Sequence, residues 1–260
     1  MSRSILFNKK IGFRMVFISV VFILAALLQI CSTSSAGYGV PLIWGMHYKE
    51  TSSASGSYTF TTSQQGLLTL EGFSIYGTDM EYRGYLKPTI YNASGEIVSS
   101  VMVNASGANE KGYVALPQGS YTLKVNDDHY RFKASFMTYR EKSGKSKASA
   151  ITLKKGKTAK GVVLHSERRK KDWYKIVLKK PARITLLMNG MSENGIMVNI
   201  RSGSVRFGID YSQILTTGKL KIPTKVLTGY KKLPAGTYYI SICDAGLGGN
   251  NGGAYTVQWR

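Results

Sequence analysis

The side chains able to do chemistry in this chain are few. His47, His129 and His165 are its three histidines, and Cys31 and Cys243 its two cysteines. A thiol nucleophile needs a base within hydrogen-bond reach and a lowered pKa. His165 is the one histidine in the same half as Cys243. Alternation after Ile242 places Cys243 on an outer strand face or at a strand end, where it is expected to be inert. The histidines are far apart in the sequence, and neither His-Glu-x-x-His nor Gly-x-Ser-x-Gly occurs. Asp127-Asp128 and Asp79 with Glu81 are the nearest approach to paired carboxylates, and turns are rich in such residues. The run Ala245–Ala254 has the glycine content of a phosphate cradle. It opens no helix, so it lacks the aligned N–H groups that bind phosphate and reads as a flexible hairpin loop. No metal, no cofactor and no catalytic residues are expected, and the chain is not expected to be an enzyme.

What remains is charge. The formal net charge is +21. It is concentrated: residues 37–140 hold eight Lys/Arg against eight Asp/Glu, and residues 141–260 hold 23 against six. The densest groups are Arg168, Arg169, Lys170 and Lys171, then Lys179, Lys180 and Arg183, with further lysines between Lys142 and Lys160. A field of this sign attracts polyanions and speeds encounter with them. The first two groups form the candidate polyanion-binding set. Its bland rival is a solvated Lys-rich surface. Nucleic acid would meet the same electrostatics, but an export signal argues against it.

That signal is the N-terminus. Arg3, Lys9, Lys10 and Arg14 precede an uncharged apolar run from Met15 to Ile30, followed by small residues at Ser34 and Ala36. This is the layout of a secretory signal peptide over 1–36, with a retained membrane anchor as the alternative. Cleavage would remove Cys31 and leave Cys243 without a partner for an internal disulfide. The membrane is then a partner only through an uncleaved leader.

Beyond it the chain repeats. Gly112–Tyr121 and Gly229–Tyr238 share six of ten positions around Leu-Pro-x-Gly-Ser/Thr-Tyr. At nearly the same offset Tyr58-Thr-Phe60 matches Tyr174-Lys-Ile176, and Leu68-Thr-Leu70 matches Ile184-Thr-Leu186. Tyr121-Thr-Leu-Lys-Val125 and Tyr238-Tyr-Ile-Ser-Ile242 alternate with the period of a half-buried strand. The sequence predicts an all-β chain: two tandem jelly-roll-like antiparallel β-sandwiches after an N-terminal signal helix. The first spans 37–140 and is near-neutral, a Lys-rich exposed linker covers 141–158, and the second, strongly basic, spans 159–260.

Ile151–Gly161, Lys171-Asp-Trp-Tyr-Lys-Ile-Val-Leu178, Leu233–Ile242 and Gly253–Val257 resemble the bacterial pre-peptidase C-terminal domain family, over about residues 150–259. Residues 57–136 look like a divergent copy without the Asp-Trp pair. The resemblance implies a non-catalytic β-sandwich, found beside secreted peptidases or on envelope proteins. Calcium held by acidic loops, seen in related sandwiches, is not expected here. The loop before Trp173 is Ser166-Glu-Arg-Arg-Lys-Lys-Asp172, and its cations oppose a hard ion that wants oxygen ligands. The expected function is an exported, non-catalytic binding or scaffold protein, secreted or at the bacterial cell surface. Its basic domain would contact anionic cell-envelope polymers or polysaccharide. The alternatives are a carbohydrate- or matrix-protein-binding module using aromatic residues and loops, or an accessory protein of a secreted peptidase.

Overall fold

The computed structural model describes residues 39–50, 55–76, 82–103, 111–127, 129–140, 142–167, 169–203, 209–229, 232–247 and 250–260. The expected signal helix lies outside them. Gly39–Arg260 forms one unit by its internal contacts, and it is built almost entirely of strands. Ten come first: β1 (Val40–Pro41), β2 (His47–Glu50), β3 (Gly56–Thr62), β4 (Gly66–Tyr76), β5 (Tyr82–Gly84), β6 (Thr89–Asn92), β7 (Ile97–Ser100), β8 (Lys111–Leu116), β9 (Gly119–Val125) and β10 (Tyr130–Thr138). Nine follow: β11 (Ile151–Thr152), β12 (Ala159–Val163), β13 (Asp172–Leu178), β14 (Thr185–Met191), β15 (Ile196–Ser202), β16 (Asp210–Leu215), β17 (Gly218–Pro223), β18 (Gly236–Asp244) and β19 (Gly253–Trp259). One five-residue helix, α1 (Thr224–Thr228), precedes β18.

The strands form two sheet pairs with the same order. In the first, β1-β3-β9-β6-β7 faces β2-β10-β4-β8, with β5 added on the far end of β4. In the second, β11-β13-β18-β15-β16 faces β12-β19-β14-β17. The repeat seen in the sequence survives at the level of register: Tyr58 lies opposite Leu123, and Tyr174 opposite Ile240. All pairings are antiparallel except β1 with β3 and β11 with β13, which are short and parallel. Each sandwich buries its own core. Phe60, Leu68, Leu70, Ile90, Leu123 and Phe132 meet in the first, and Ile176, Leu186, Val198, Ile240, Ile242 and Val257 in the second. Alternation along β3 and β13 sends every second side chain into these cores.

The repeated residues do repeated work. The Tyr121 hydroxyl donates to the Pro117 carbonyl at 2.9 Å, and the Tyr238 hydroxyl to the Pro234 carbonyl at 2.8 Å. Each ties its Leu-Pro turn to the strand that follows. Between the sheets, the hydroxyls of Tyr58 and Tyr130 meet at 2.7 Å, and those of Tyr174 and Tyr255 at 3.0 Å. In the second sandwich Tyr255 donates onward to buried Asp172 at 2.6 Å. A hydroxyl has one proton, so Tyr174 must donate to Tyr255. Asp172 is therefore the acceptor that ends a buried chain of hydrogen bonds. In the first sandwich Gly56 stands at the matching place, and a Cβ there would run into the Tyr130 hydroxyl.

Of the stretch expected as an exposed linker, 141–158, the described residues 142–158 are mostly exposed, and they are also tied to the second sandwich. Gly144 and Trp173 exchange backbone hydrogen bonds at 3.0 and 2.9 Å, and Ser143 donates to Asp172 at 2.6 Å. Ile151–Thr152 is the edge strand β11, and Leu153 is buried. Small side chains at Ser143, Gly144 and Ala150 let the backbone lie against β13, while the lysines stay in water.

Tyr255→Phe removes the donor to a buried carboxylate. It is expected to cost about 1–3 kcal/mol, and Tyr238→Phe, which loses one neutral hydrogen bond, about 0.5–1.5 kcal/mol. Urea unfolding of the two variants beside the parent checks both the sizes and their order.

Candidate functional site

The two sandwiches meet over a small apolar patch of Leu67, Ala115 and Tyr139 from the first and Val162, Leu164 and Ala254 from the second. Polar groups fix its register. β8 is paired with β4 on one side. On its other side, the N–H of Tyr113 is taken by Glu193 Oε1 at 3.1 Å, and the N–H of Ala115 by the Asn251 carbonyl at 2.7 Å. The second sandwich thus covers a strand edge that would otherwise present unpaired donors. Asn251 also donates from Nδ2 to Glu193 Oε2 at 2.7 Å and accepts from the Ser99 hydroxyl. The glycine run, expected as a flexible hairpin loop, therefore ends in a buried joint at Asn251–Ala254. Burial pushes the Glu193 carboxyl up to about 7, against the pull of backbone donors at Tyr113 and Met102 and of Asn251.

Beside this joint opens a cleft of about 490 Å³. One wall is the end of β10 and the residues beyond it, Met137 to Arg140 and Lys142. The other is β11, the start of β12 and the loop between them. Its floor is apolar, with Met137 57% and Ile151 46% exposed and Leu153 buried beneath. Its rim is cationic: Arg140, Lys142, Lys154, Lys157 and Lys160 all line it and all are exposed. No carboxylate is among the described lining residues; Glu141 lies outside the described set. The lysine loop is held in place. Gly156 (φ 73°) donates to the Trp259 carbonyl at 2.8 Å and accepts from Gln258 at 2.6 Å, and the Trp259 indole N–H donates to the Leu153 carbonyl at 2.8 Å. Five cations thus surround one opening with no carboxylate among its described lining residues, an arrangement that repels itself and that an anion relieves.

The set favoured from sequence is arranged otherwise. Arg169, Lys170 and Lys171 precede β13, and Lys179, Lys180 and Arg183 follow it, all exposed. Seven strand residues separate the groups by roughly 20 Å, so they do not form one cluster. Lys170 is paired with Glu167 at 2.5 Å, and Arg168 lies outside the described residues. The lysines between 142 and 160 were visible in the sequence, but their convergence with Arg140 was not. It depends on the second sandwich folding back beside the end of β10.

The candidate nucleophile is arranged for stability. Cys243 lies on the sheet face opposite core residue Ile242, as alternation indicates, but it is covered there and only 7% exposed. Burial raises its thiol pKa, the reverse of activation. His165 is bound through Nδ1 to Asp244 Oδ2 at 2.8 Å, and Asp244 also accepts the Gly246 N–H at 3.2 Å. Asp244 and Cys243 are adjacent in β18 and so point to opposite faces. The pair anchors the turn after β12 to β18. Asp127 accepts from the Lys87 N–H at 3.5 Å; Asp79, Glu81 and Asp128 lie outside the described residues. Among the described residues no three His, Cys, Asp or Glu side chains are grouped as a metal site. Nor is any helix there long and apolar enough to cross a membrane.

No family model matches the chain, and no curated protein is significantly similar to it. Among solved structures it is similar to the CUB1-EGF-CUB2 domain of human MASP-1/3, with 8% identity over 83% of this chain and 99% of that one and a TM-score of 0.24. The corresponding rat MASP-1 domains give 10% identity, 85% and 100% coverage and a TM-score of 0.24. A presumed secreted protein from Eubacterium rectale gives 10%, 87% and 80%, and 0.26. The fold described above stands on this chain's own sheet order and register.

The Glu193 joint makes stability depend on pH. A carboxyl whose folded pKa lies above its unfolded value stabilises fully below the unfolded pKa, and that contribution is lost as pH rises through the folded one. Unfolding free energy should therefore fall between about pH 4.5 and 7 by an amount that Glu193→Gln abolishes. Urea titrations of both proteins across that range, compared as a difference, isolate the contribution of Glu193. Parallel curves would contradict the assignment.

Proposed function

We propose that the chain is a non-catalytic binding protein of the bacterial exterior, and that its basic half takes anionic envelope polymers at the cleft between the sandwiches. One observation carries the reading: Arg140, Lys142, Lys154, Lys157 and Lys160 surround a single opening with no described carboxylate in its lining. The cations give attraction and encounter rate. The exposed Met137 and Ile151 floor gives apolar contact to the uncharged parts of the polymer. The leader-like N-terminus and the resemblance of residues 150–259 to the pre-peptidase C-terminal family support an exterior setting. The scattered cations around β13 would add long-range pull without a defined site.

The test uses isolated cell wall and a purified polyphosphate or polyuronate. The chain should be retained at low salt and released as salt rises, with log affinity falling linearly in log salt, as counter-ion release requires. Replacing Lys154, Lys157 and Lys160 by Gln should lower the salt needed for release more than replacing Arg169, Lys170 and Lys171. Retention that ignores ionic strength would overturn the reading.

A further inference from the structure

A second opening lies on the first sandwich, and its chemistry is of another kind. It is a groove of about 440 Å³ across the outer face of the sheet β1-β3-β9-β6. Thr59, Thr61, Ser120 and Thr122 line it together with Pro41, Leu42, Phe60, Ala93 and Tyr121, and Trp44 stands at the β1 end. Thr59 is opposite Thr122 and Thr61 opposite Ser120 in the β3–β9 register. The four hydroxyls therefore make a two-by-two grid, about 5 Å across the strands and about 7 Å along them. All four point away from the core, between Phe60, Tyr121 and Leu123, which point inward. No hydrogen bond from a described residue reaches any of them. Trp44 is 39% exposed although it is large and apolar. Stacking on Phe136 (5.7 Å, 28°) and an edge contact with Phe60 (5.3 Å, 72°) hold its ring in place.

In a chain of net charge +21, no Lys, Arg, Asp or Glu is among the described lining residues of this groove. An uncharged lining of free hydroxyls beside a fixed, half-exposed indole suits a ligand that is itself uncharged, rich in hydroxyls and apolar on its ring faces. A charged polymer would lose hydration here and meet no counter-charge. A purely apolar segment would strand four hydroxyls. We propose that this groove binds a neutral polysaccharide: sugar hydroxyls pair with Thr59, Thr61, Ser120 and Thr122, and a ring face lies on Trp44. The site is separate from the cationic cleft, and it stands whether or not that cleft binds polyanions.

The experiment is affinity electrophoresis of the whole chain in gels carrying a neutral glucan, mannan, xylan or galactan, run at about 0.5 M NaCl, where surface charge is screened within a few ångström. At least one of these glycans should retard the parent. The double change Thr59→Val and Thr122→Val is close to isosteric on exposed strand positions and removes two hydroxyls. It should weaken retardation about tenfold, with thermal unfolding unchanged. Trp44→Ala should weaken it as well. The Lys154, Lys157 and Lys160 to Gln variant should run like the parent. The proposal is overturned if none of the four glycans retards the chain. It is equally overturned if the Thr→Val pair is retarded like the parent, or if the lysine variant is the one that loses binding.

Discussion

Glu193 gives up most of its hydration to reach across from one sandwich to the other, and the larger architecture rests on that exchange. The first sandwich brings backbone N–H groups on β8 that its own sheet cannot satisfy; the second brings Glu193 and Asn251 to accept and donate there. The apolar patch around Tyr139 and Leu164 excludes water from the contact. With these groups in register, the end of β10 and the β11–β12 loop face one another as the walls of one cleft. Without them, Arg140 and Lys157 would be unrelated surface charges.

Inside each sandwich a tyrosine pair joins the facing sheets, and the two copies solve the same packing problem with different residues. The second continues its hydroxyl chain to Asp172, which also accepts from Ser143. That bond ties the Lys-rich segment to β13. The first has Gly56 at the matching position, leaving room for the Tyr130 hydroxyl. The Asp-Trp-Tyr residues that prompted a family resemblance thus have a structural explanation: the Asp closes a buried network and the Trp backbone pairs with Gly144.

The cleft and the groove differ in lining as the chain's two halves differ in charge. The cleft beside the basic half has an apolar floor and a cationic rim. The groove on the near-neutral half has hydroxyls and an indole. Neither has a histidine or a cysteine among its described lining residues; His165 lines another opening, of about 320 Å³. Cys243 is buried with a raised pKa, and His165 is occupied by Asp244.

The sequence by itself determined the all-β character and the duplication. Period-two alternation and the Leu-Pro-x-Gly-Ser/Thr-Tyr repeat are local signals, and the structure uses both as they read. It also showed where the cations are dense. It could not show which of them converge, because that depends on register between strands distant in the chain. Gly112 and Gly229 make the point within the repeat itself. The first sits in β8 against Val101 and Glu193, and the second ends α1 in a left-handed turn (φ 71°), though their neighbours match. Thr59 and Thr122 gave no signal in sequence, since a lone outward threonine is ordinary in any strand. Only pairing β3 with β9 sets them side by side, and only the turn after β1 brings Trp44 to the end of their row.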